Sequence, residues 1–312
     1  MKKSLILFGI LILTALPGFT RPGNDEIKID SQGRKYLVDP AKILSGGPPQ
    51  DGIPSIDDPR FVSLDEADRW IQDNELVLAI DYKGEKRVYP LQILVWHEIV
   101  NDTVAGDPLL ITYCPLCGSG IAYRRTIDGK SLEFGTTGKL YNSNLVMYDR
   151  KTETWWTQID GLAIVGELTG RELEEISIDT VSWEEWKAAH PDSQVLSQET
   201  GFSRPYGRDP YGSYYVDSYI MFPVENSDEG IHPKTVIFGI EVNGIYKAYK
   251  ESDLKDEGSF EDTVAGVKIR AARDKAGIVT FTDLDAGMEI VKERDFWFAW
   301  YAFHPDTLLY EE

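Results

Sequence analysis

The sequence predicts an α+β fold dominated by strands, with two related units from an internal duplication and short helices packed on antiparallel sheets. Three observations predict it. Runs of β-branched and aromatic residues bounded by turn residues recur along the chain, helical patterns are few, and one part of the chain repeats another. With 42% hydrophobic residues over 312 positions, the chain can bury a sizeable core.

Seven apolar runs predict strands, and three dipeptides between or beside them predict hairpin turns. The runs are Val77–Tyr82, Lys86–Tyr89, Leu109–Tyr113, Gly120–Arg124, Leu145–Tyr148, Val236–Val242 and Gly277–Thr282. The turns are Lys83-Gly84, Asp128-Gly129 and Asn243-Gly244. Helices are predicted over Leu91–Val100 and Trp183–Ala189, the second opened by a capping box of Ser182 and Glu185.

The internal repeat has two parts with different offsets. Asp102–Gly106 recurs unchanged as Asp262–Gly266, an offset of 160, whereas the Trp-x-x-Trp-x-x-x-His-Pro-Asp pattern ending in His190-Pro191-Asp192 recurs 114 residues later. The later unit therefore lacks 46 residues of the earlier one. Features present in both units are interpreted as framework, which assigns a structural role to His190 and His304 at their helix ends.

The predicted organisation has five segments: a signal peptide (1–20), an extended lead-in (21–59), a first unit (60–205), a connector (206–233) and a shorter second unit (234–312) without the Cys/His cluster. Lys2 and Lys3, an apolar run of about a dozen residues and then Pro17 and Gly18 follow the order of a secretory signal. We expect cleavage after Thr20 and a soluble periplasmic or secreted product with no membrane span in its mature form.

The net charge of −20 argues against a nucleic-acid partner, because such a surface repels phosphate backbones. Two cysteines are too few for a disulfide-stapled scaffold, so any role of theirs is local. The sequence contains no P-loop, dinucleotide fingerprint or Gly-x-Ser-x-Gly motif, and the residue four after His97 is Asn101, which excludes a two-His zinc-protease helix.

Cys114-Pro115-Leu116-Cys117-Gly118 resembles the metal-binding knuckle of rubredoxins and zinc ribbons. His97 is the predicted third ligand and Met147 a softer fourth, while Glu98 or Asp149 would accept a hydrogen bond from His97. Two thiolates with imidazole or thioether ligands suit copper(I) or zinc, and the two metals stay equally open. A metal donor or acceptor protein would then be a partner.

Two alternatives to a metal remain open at this stage. Cys114 and Cys117 would form a disulfide staple in an exported protein, or they would exchange disulfides, since Tyr-Cys-Pro-x-Cys is similar to the glutaredoxin active-site segment. If the two cysteines form a structural disulfide, we expect the function to lie in a small-ligand pocket rich in amide and aromatic side chains. Its predicted residues are Tyr141, Asn142, Ser143, Asn144, Tyr148, Trp155 and Gln158. The same residue types also form hydrogen bonds that connect strands and turns, so a purely structural role for them is the other interpretation.

Four motifs in order carry a resemblance to a known family. They lie at Tyr89–Glu98, Thr112–Gly118 and Leu140–Arg150, followed by the Trp-x-x-Trp-Lys-x-x-His-Pro pattern. Together they resemble the domain of unknown function 3179 (DUF3179) family, over about residues 60 to 310. The resemblance implies an exported bacterial or archaeal protein of unassigned biochemistry, and it supports neither copper nor zinc.

Overall fold

The structure is a computed structural model that describes residues 26–311, apart from the side chains of residues 255–257. The α-helices are α1 Leu64–Ala67, α2 Leu91–Leu94, α3 Trp183–Ala189, α4 Glu251–Glu257 and α5 Trp297–Phe303. The strands are, in chain order, β1 Lys28–Ile29, β2 Lys35–Tyr36, β3 Leu44–Ser45, β4 Phe61–Ser63, β5 Leu76–Tyr82, β6 Glu85–Pro90, β7 Ile99–Val104, β8 Asp107–Cys114, β9 Ser119–Arg124, β10 Thr126–Ile127, β11 Lys130–Ser131, β12 Phe134–Tyr141, β13 Asn144–Asp149, β14 Trp155–Thr157, β15 Ala163–Val165, β16 Glu174–Ile176, β17 Asp179–Ser182, β18 Gln194–Leu196, β19 Val236–Val242, β20 Ile245–Lys250, β21 Ser259–Val264, β22 Val267–Arg273, β23 Val279–Asp283, β24 Met288–Ile290, β25 Lys292–Phe296 and β26 Leu308–Leu309. The strand-dominated prediction with antiparallel sheets and short helices is confirmed.

Two sheets of the first unit have counterparts of the same connectivity in the second. The order β17-β5-β6-β18 matches β25-β19-β20-β26, and β16-β9-β8-β7 matches β24-β23-β22-β21. Nearly all pairs are antiparallel, but β18 runs parallel to β6 and β26 runs parallel to β20. Each parallel strand follows a helix, α3 or α5, which carries the chain across the sheet from the edge strand β17 or β25.

The first unit also contains a sheet for which the second has no counterpart among the described residues. Its order is β1-β2-β15-β14-β13-β12-β3, so strands of the lead-in border it on both sides. The lead-in continues along the first unit, where Ile56 bridges Val100. Its strands β12–β15 lie within the stretch by which the sequence predicts the first unit to be longer.

Local residue chemistry fixes the hairpins and one helix start as predicted. Both residues of each predicted turn have positive φ, for example 53° at Lys83 and 85° at Gly84, as a two-residue hairpin with right-handed twist requires. Helix α3 begins after Ser182, whose hydroxyl accepts a hydrogen bond from the backbone N–H of Glu185 at 3.3 Å.

The predicted helix over Leu91–Val100 is wrong in its second half. Helix α2 ends at Leu94, and Glu98 takes a φ of +60°, a conformation that an α-helix cannot continue through. Ile99 then begins strand β7, where Ile99 pairs with Thr112 on β8. Pairing with a long central strand outweighs the helical spacing of the apolar residues.

The largest apolar cluster crosses from one unit to the other. It holds both cysteines, Trp156 from the first unit and Phe296 and Phe298 from the second, together with aromatic residues of the connector. The region around the cysteines is therefore core rather than surface. No helix in residues 26–311 is long and apolar enough to cross a membrane. The predicted signal peptide lies outside the described residues.

Candidate functional site: a buried cysteine pair

A tight turn between strands β8 and β9 carries the two cysteines. Cys114 is the last residue of β8, its backbone carbonyl accepts a hydrogen bond from the N–H of Cys117 at 3.1 Å, and Gly118 completes the turn with a φ of +64°. The sulfur atoms lie 3.0 Å apart as free thiols. The turn therefore presents the two thiols to each other, and both are at most 1% exposed.

The second unit closes one side of this turn. The backbone N–H of Phe296 donates to the carbonyl of Cys117 at 2.8 Å, and a Cβ placed on Gly118 would lie 2.9 Å from the Phe296 ring. Only glycine allows both the positive φ and this close approach. The motif glycine therefore sets the contact between the two units as well as the shape of the turn.

The amide of Asn144 joins Cys117 to the seven-stranded sheet that contains β13 and β14. Its Nδ2 donates to the Cys117 sulfur at 3.4 Å and to Gln158 Oε1 at 2.7 Å, while its Oδ1 accepts from the backbone N–H groups of Gln158 and Ile159. Gln158 Nε2 in turn donates to Thr112 Oγ1 at 3.0 Å. Every member of this network is buried. The network holds one sulfur in place and supplies it with a hydrogen-bond donor.

The connector also covers the cysteine turn. The hydroxyl of Tyr214 donates to the carbonyl of Leu116 at 3.1 Å, and Tyr211 and Tyr215 pack against the same apolar cluster. The connector has few strands or helices of its own among the described residues, only a short 3-10 helix over Gly212–Tyr215. It is therefore the element on which burial of the turn from this side depends.

Lys234 is a cation whose charge acts on the cysteine turn. Its Nζ lies 3.3 Å from the centre of the Tyr214 ring and donates to the carbonyl of Tyr219 at 2.8 Å. Burial lowers the pKa of Lys234 to about 8, and the electrostatic effect of Cys117 opposes that shift. A thiolate at Cys117 would thus be attracted by an ammonium group held under the connector.

Burial is the main influence on the pKa of Cys117. It raises the pKa of Cys117 well above that of a free thiol, and the neighbouring Cys114 adds to the increase, while the Asn144 amide works in the opposite direction. Ser143, which is 1% exposed and has a φ of +60°, has no hydrogen-bond partner for its hydroxyl. The Cys117 thiol is therefore protonated and unreactive while the cover is closed.

A cavity of about 440 Å³ opens beside the turn. Its lining includes Tyr113 and Gly118 from the turn region, Tyr215 from the connector, and Lys234 and Phe296 from the second unit. This volume is in the range of small-molecule sites. Neither cysteine lines the cavity, but Gly118, the residue after Cys117, does.

The family model described as "Protein of unknown function (DUF3179)" matches residues 50–288, which is more than half of the chain. The chain belongs to the DUF3179 family. No curated protein matches the chain. No solved structure matches it. The family assignment predicted from the four motifs is confirmed, and the matched range includes the cysteine turn, its Asn144 network and the connector of this DUF3179 protein.

His97 does not join the cysteines in a donor group. Its Nδ1 lies 2.8 Å from the carbonyl of Pro54 and its Nε2 lies 2.6 Å from the hydroxyl of Tyr206. Because a carbonyl only accepts, Nδ1 carries the proton in the neutral ring and Nε2 accepts from the tyrosine. Across the described residues, no group of three or more His, Cys, Asp or Glu side chains is arranged to hold a metal ion.

The other predicted metal-site residues differ in their surroundings. Met147 lies in the same apolar cluster as the cysteines. Asp149 instead caps the turn that follows it, accepting from the backbone and hydroxyl of Thr152 at 2.6 and 2.7 Å and from Trp156 Nε1 at 3.2 Å. The tautomer of His97 is set by Pro54, not by a carboxylate.

The residues of the predicted ligand pocket fall into three places. Ser143, Asn144 and Gln158 lie beside Cys117, and Tyr141 and Asn142 line a cavity of about 330 Å³ near helix α5. Tyr148 donates to Asp51 at 2.6 Å, and Trp155 lies under the Lys139 ammonium. The structure thus divides the predicted pocket between the cysteine site, a second cavity and the lead-in.

Sequence reasoning missed Lys234, Tyr214 and Thr112 as members of the site. Lys234 and Tyr214 lie about 100 residues from the cysteine motif, so no local spacing links them to it. One signal was present: the connector carries Tyr206, Tyr211, Tyr214 and Tyr215 within ten positions, an aromatic density unusual for an exposed linker.

The carboxyl group of Glu98 makes the free energy of unfolding depend on pH. Its side chain is buried, and burial raises its carboxyl pKa from 4.5 to about 8. The folded protein then holds this proton more tightly than the unfolded chain, so the free energy of unfolding falls as pH rises from about 4.5 to 8. We expect Glu98→Gln to remove a slope of up to about 1.4 kcal/mol per pH unit.

The measurement is urea unfolding of the wild type and Glu98→Gln at several values between pH 5 and 8. The matched control is Glu153→Gln, because Glu153 also has a positive φ (56°) but is exposed. The difference in free energy of unfolding between Glu98→Gln and the wild type should grow with pH, whereas that of the control should stay constant. A pH-independent difference at Glu98 would contradict the expected linkage.

Proposed function

We propose that Cys114 and Cys117 form a reversible dithiol–disulfide pair, and that the protein exchanges electrons with an external disulfide through it. The observation that carries the proposal is the 3.0 Å separation of the two sulfur atoms. Two thiolates on one tetrahedral zinc ion are about 3.8 Å apart, given a Zn–S bond of about 2.3 Å. The observed spacing is shorter, so it favours formation of a sulfur–sulfur bond over a shared metal.

The proposed reaction is a balanced thiol–disulfide exchange. One cysteine loses its proton and attacks an external disulfide, forming a mixed disulfide and releasing one thiolate; the other cysteine then displaces the second thiolate. The protein loses two protons and two electrons, and the external disulfide becomes two thiols. Lys234 would stabilise the attacking thiolate at Cys117, and the cavity beside Gly118 would hold the small disulfide.

Access requires the connector to open, because both thiols are buried beneath it. Tyr214→Ala removes the hydrogen bond to Leu116 and the ring that covers the turn. We expect this variant to be alkylated faster than the wild type under native conditions, since reagent access follows the population of open connector. Equal alkylation rates would mean that the connector does not control access.

The decisive experiment is a redox titration of the tagless protein in dithiothreitol and glutathione buffers that together span roughly −350 to −100 mV, quenched with an alkylating reagent and read by intact mass. Both cysteines should convert together in a two-electron transition, with an oxidised form lighter by two hydrogen atoms. Cys114→Ser and Cys117→Ser should each abolish the transition. Thiols that stay reduced over the whole range would overturn the proposal.

Copper or zinc binding stays a prediction. Elemental analysis of the same protein preparation tests it. Its support is the softness of two thiolates with Met147 in the same cluster. Near-stoichiometric metal, lost in Cys117→Ser and protecting the thiols until a chelator is added, would replace the redox proposal. A disulfide that forms once and resists reduction would instead favour the structural staple.

We also propose that residues 1–20 direct export and that the two units descend from one duplicated ancestor, with boundaries near 60–205 and 234–312. Matching contacts support the duplication: Tyr89 donates to Asp102 at 2.6 Å as Tyr249 donates to Asp262 at 2.8 Å. Intact mass of protein recovered from the cell envelope tests export, since it should match a chain that begins at Arg21.

A further inference from the structure

A cleft of about 420 Å³ lies between the two units, away from the cysteine turn. Carboxyl groups line it from both sides: Asp160, Glu172 and Glu175 from the first unit, and Glu241 and Glu293 from the second. None of the described residues that line this cleft is Lys or Arg. The nearby Lys292 forms an ion pair with Asp179 at 2.9 Å instead. The cleft therefore concentrates acidic groups without a Lys or Arg in its described lining.

Burial makes three of these carboxyl groups, those of Asp160, Glu175 and Glu293, unfavourable to ionise. It raises the pKa of Asp160 to about 7 and that of Glu175 to about 8, and it raises the pKa of Glu293 well above the usual value. Asp295, which lies behind them and is fully buried, has no hydrogen-bond partner for either carboxylate oxygen. A cationic ligand would supply the positive charge that stabilises these carboxyl groups in their ionised form.

His304 is a second, independent sign of a ligand. It is 4% exposed, it lines the cleft, and neither ring nitrogen has a hydrogen-bond partner. Its Nε2 lies 3.8 Å from Asp160 Oδ1, beyond hydrogen-bond distance. Buried polar nitrogens are nearly always satisfied, so this imidazole is placed for a partner that enters the cleft.

Aromatic rings provide the walls around His304. Its ring stacks on Tyr246 with centroids 4.0 Å apart and lies 4.2 Å from Trp300. His190, at the same position in the first unit, also packs on its tryptophan, Trp186, at 4.1 Å, and its Nε2 also has no hydrogen-bond partner, so the stacking and one unpartnered nitrogen are framework. The contact with Tyr246 and the place in the cleft are additional features of His304.

The predicted pocket residues Tyr141 and Asn142 line a neighbouring cavity of about 330 Å³. This cavity shares Asp160, Tyr246 and His304 with the cleft. The two spaces therefore meet at His304 and extend in different directions from it. Their volumes suit a small organic molecule.

We propose that the cleft binds an organic cation with two or more amino groups, which reach separate carboxyl groups and pack alkyl segments against the aromatic walls. A single divalent ion fits less well, because no three of these acidic groups are arranged around one point in the described residues. Ammonium groups need only pairwise contacts with carboxylates, and aromatic faces attract them too. This proposal is independent of the cysteine chemistry.

Binding should depend on pH through the carboxyl groups that face the cleft. Asp160, Glu175 and Glu293 must lose protons to pair with ammonium groups, and Lys292 and Asp295 modulate that loss from strand β25. Aliphatic ammonium groups stay charged over this range. Affinity should therefore rise between pH 6 and pH 8.5, with protons released on binding.

The test is isothermal titration calorimetry with spermidine as the probe, at pH 6 and pH 8.5 and two salt concentrations. We expect one site at pH 8.5, weaker by roughly tenfold in Asp160→Asn and in His304→Gln, as expected for a lost hydrogen bond to a charged group. Glu184→Gln is the matched control, because Glu184 is an exposed acid on helix α3, outside the cleft. Circular dichroism and thermal melts verify that each variant folds.

Three outcomes would overturn the proposal: no spermidine binding at millimolar concentration, equal weakening by Glu184→Gln and Asp160→Asn, or saturable binding of Mg²⁺ or Ca²⁺ alone at the same residues. The second would mean non-specific attraction to an acidic surface, and the third would mean a metal site. A single site with the expected variant pattern would support it whatever the redox titration of the cysteines shows.

Discussion

Gly138→Ala should be the more destabilising of two positive-φ glycine substitutions, by roughly 3 kcal/mol or more. Gly138 has a φ of +68° in strand β12, and a Cβ there would overlap the carbonyl oxygen of Pro48. That oxygen belongs to the backbone of the lead-in just after strand β3, which pairs with β12, so it cannot move aside without disturbing this pairing. Alanine at this position should therefore separate the lead-in from the first unit.

Gly129→Ala is the matched control for this substitution. Gly129 also has a positive φ, +72°, but no atom lies within 4 Å of the position that a Cβ would take there. Only backbone strain remains at this turn, which costs about 1 kcal/mol. Urea unfolding compares the two variants, and limited proteolysis should cut residues 26–59 faster in Gly138→Ala. Equal losses would mean that the lead-in adjusts without cost.

Asn144→Ala should lower the free energy of unfolding by roughly 2–4 kcal/mol. The substitution leaves the buried N–H of Ile159 and the side-chain carbonyl of Gln158 without their Asn144 partners. The N–H of Gln158 keeps a second acceptor, the carbonyl of Leu145 at 3.0 Å, which limits the loss. Each orphaned buried group contributes about 1–3 kcal/mol.

Asn74→Ala provides the control, because Asn74 is exposed and its replacement should change stability by no more than about 0.5 kcal/mol. Chemical denaturation measures both variants. Asn144→Ala should also raise the pH at which Cys117 is alkylated under native conditions, since it loses a donor to the sulfur. If the stability of Asn144→Ala matched that of Asn74→Ala, the buried amide network would not contribute to the fold.

Local residue chemistry made the strands and turns predictable from the sequence. The dipeptide turns and the Ser182 cap depend on residues adjacent in the chain, and each appears where expected. The helix over Leu91–Val100 failed because apolar spacing does not reveal that β7 will pair with β8. The pairing of β7 with β8 in the folded protein therefore determined the structure of that segment.

The cysteine turn was predictable as a site, but its surroundings were not. The motif predicts the turn and its glycine. The position of His97 relative to the cysteines instead depends on the path of the chain between helix α2 and strand β7. Lys234 and Phe296 come from the second unit, and Tyr214 comes from the connector. Contacts between residues about 100 or more positions apart carry no local signal, so the predicted ligand set was composed of sequence neighbours.

The hydrogen bond from Phe296 to Cys117 makes the second half of the chain a wall of the first half's cysteine site. Although the second unit has no cysteine, a polypeptide stopped at residue 233 would lose Phe296 and Lys234 and leave the sulfur atoms open to solvent on that side. The unit without cysteines thus shields the thiol pair of the other unit from solvent.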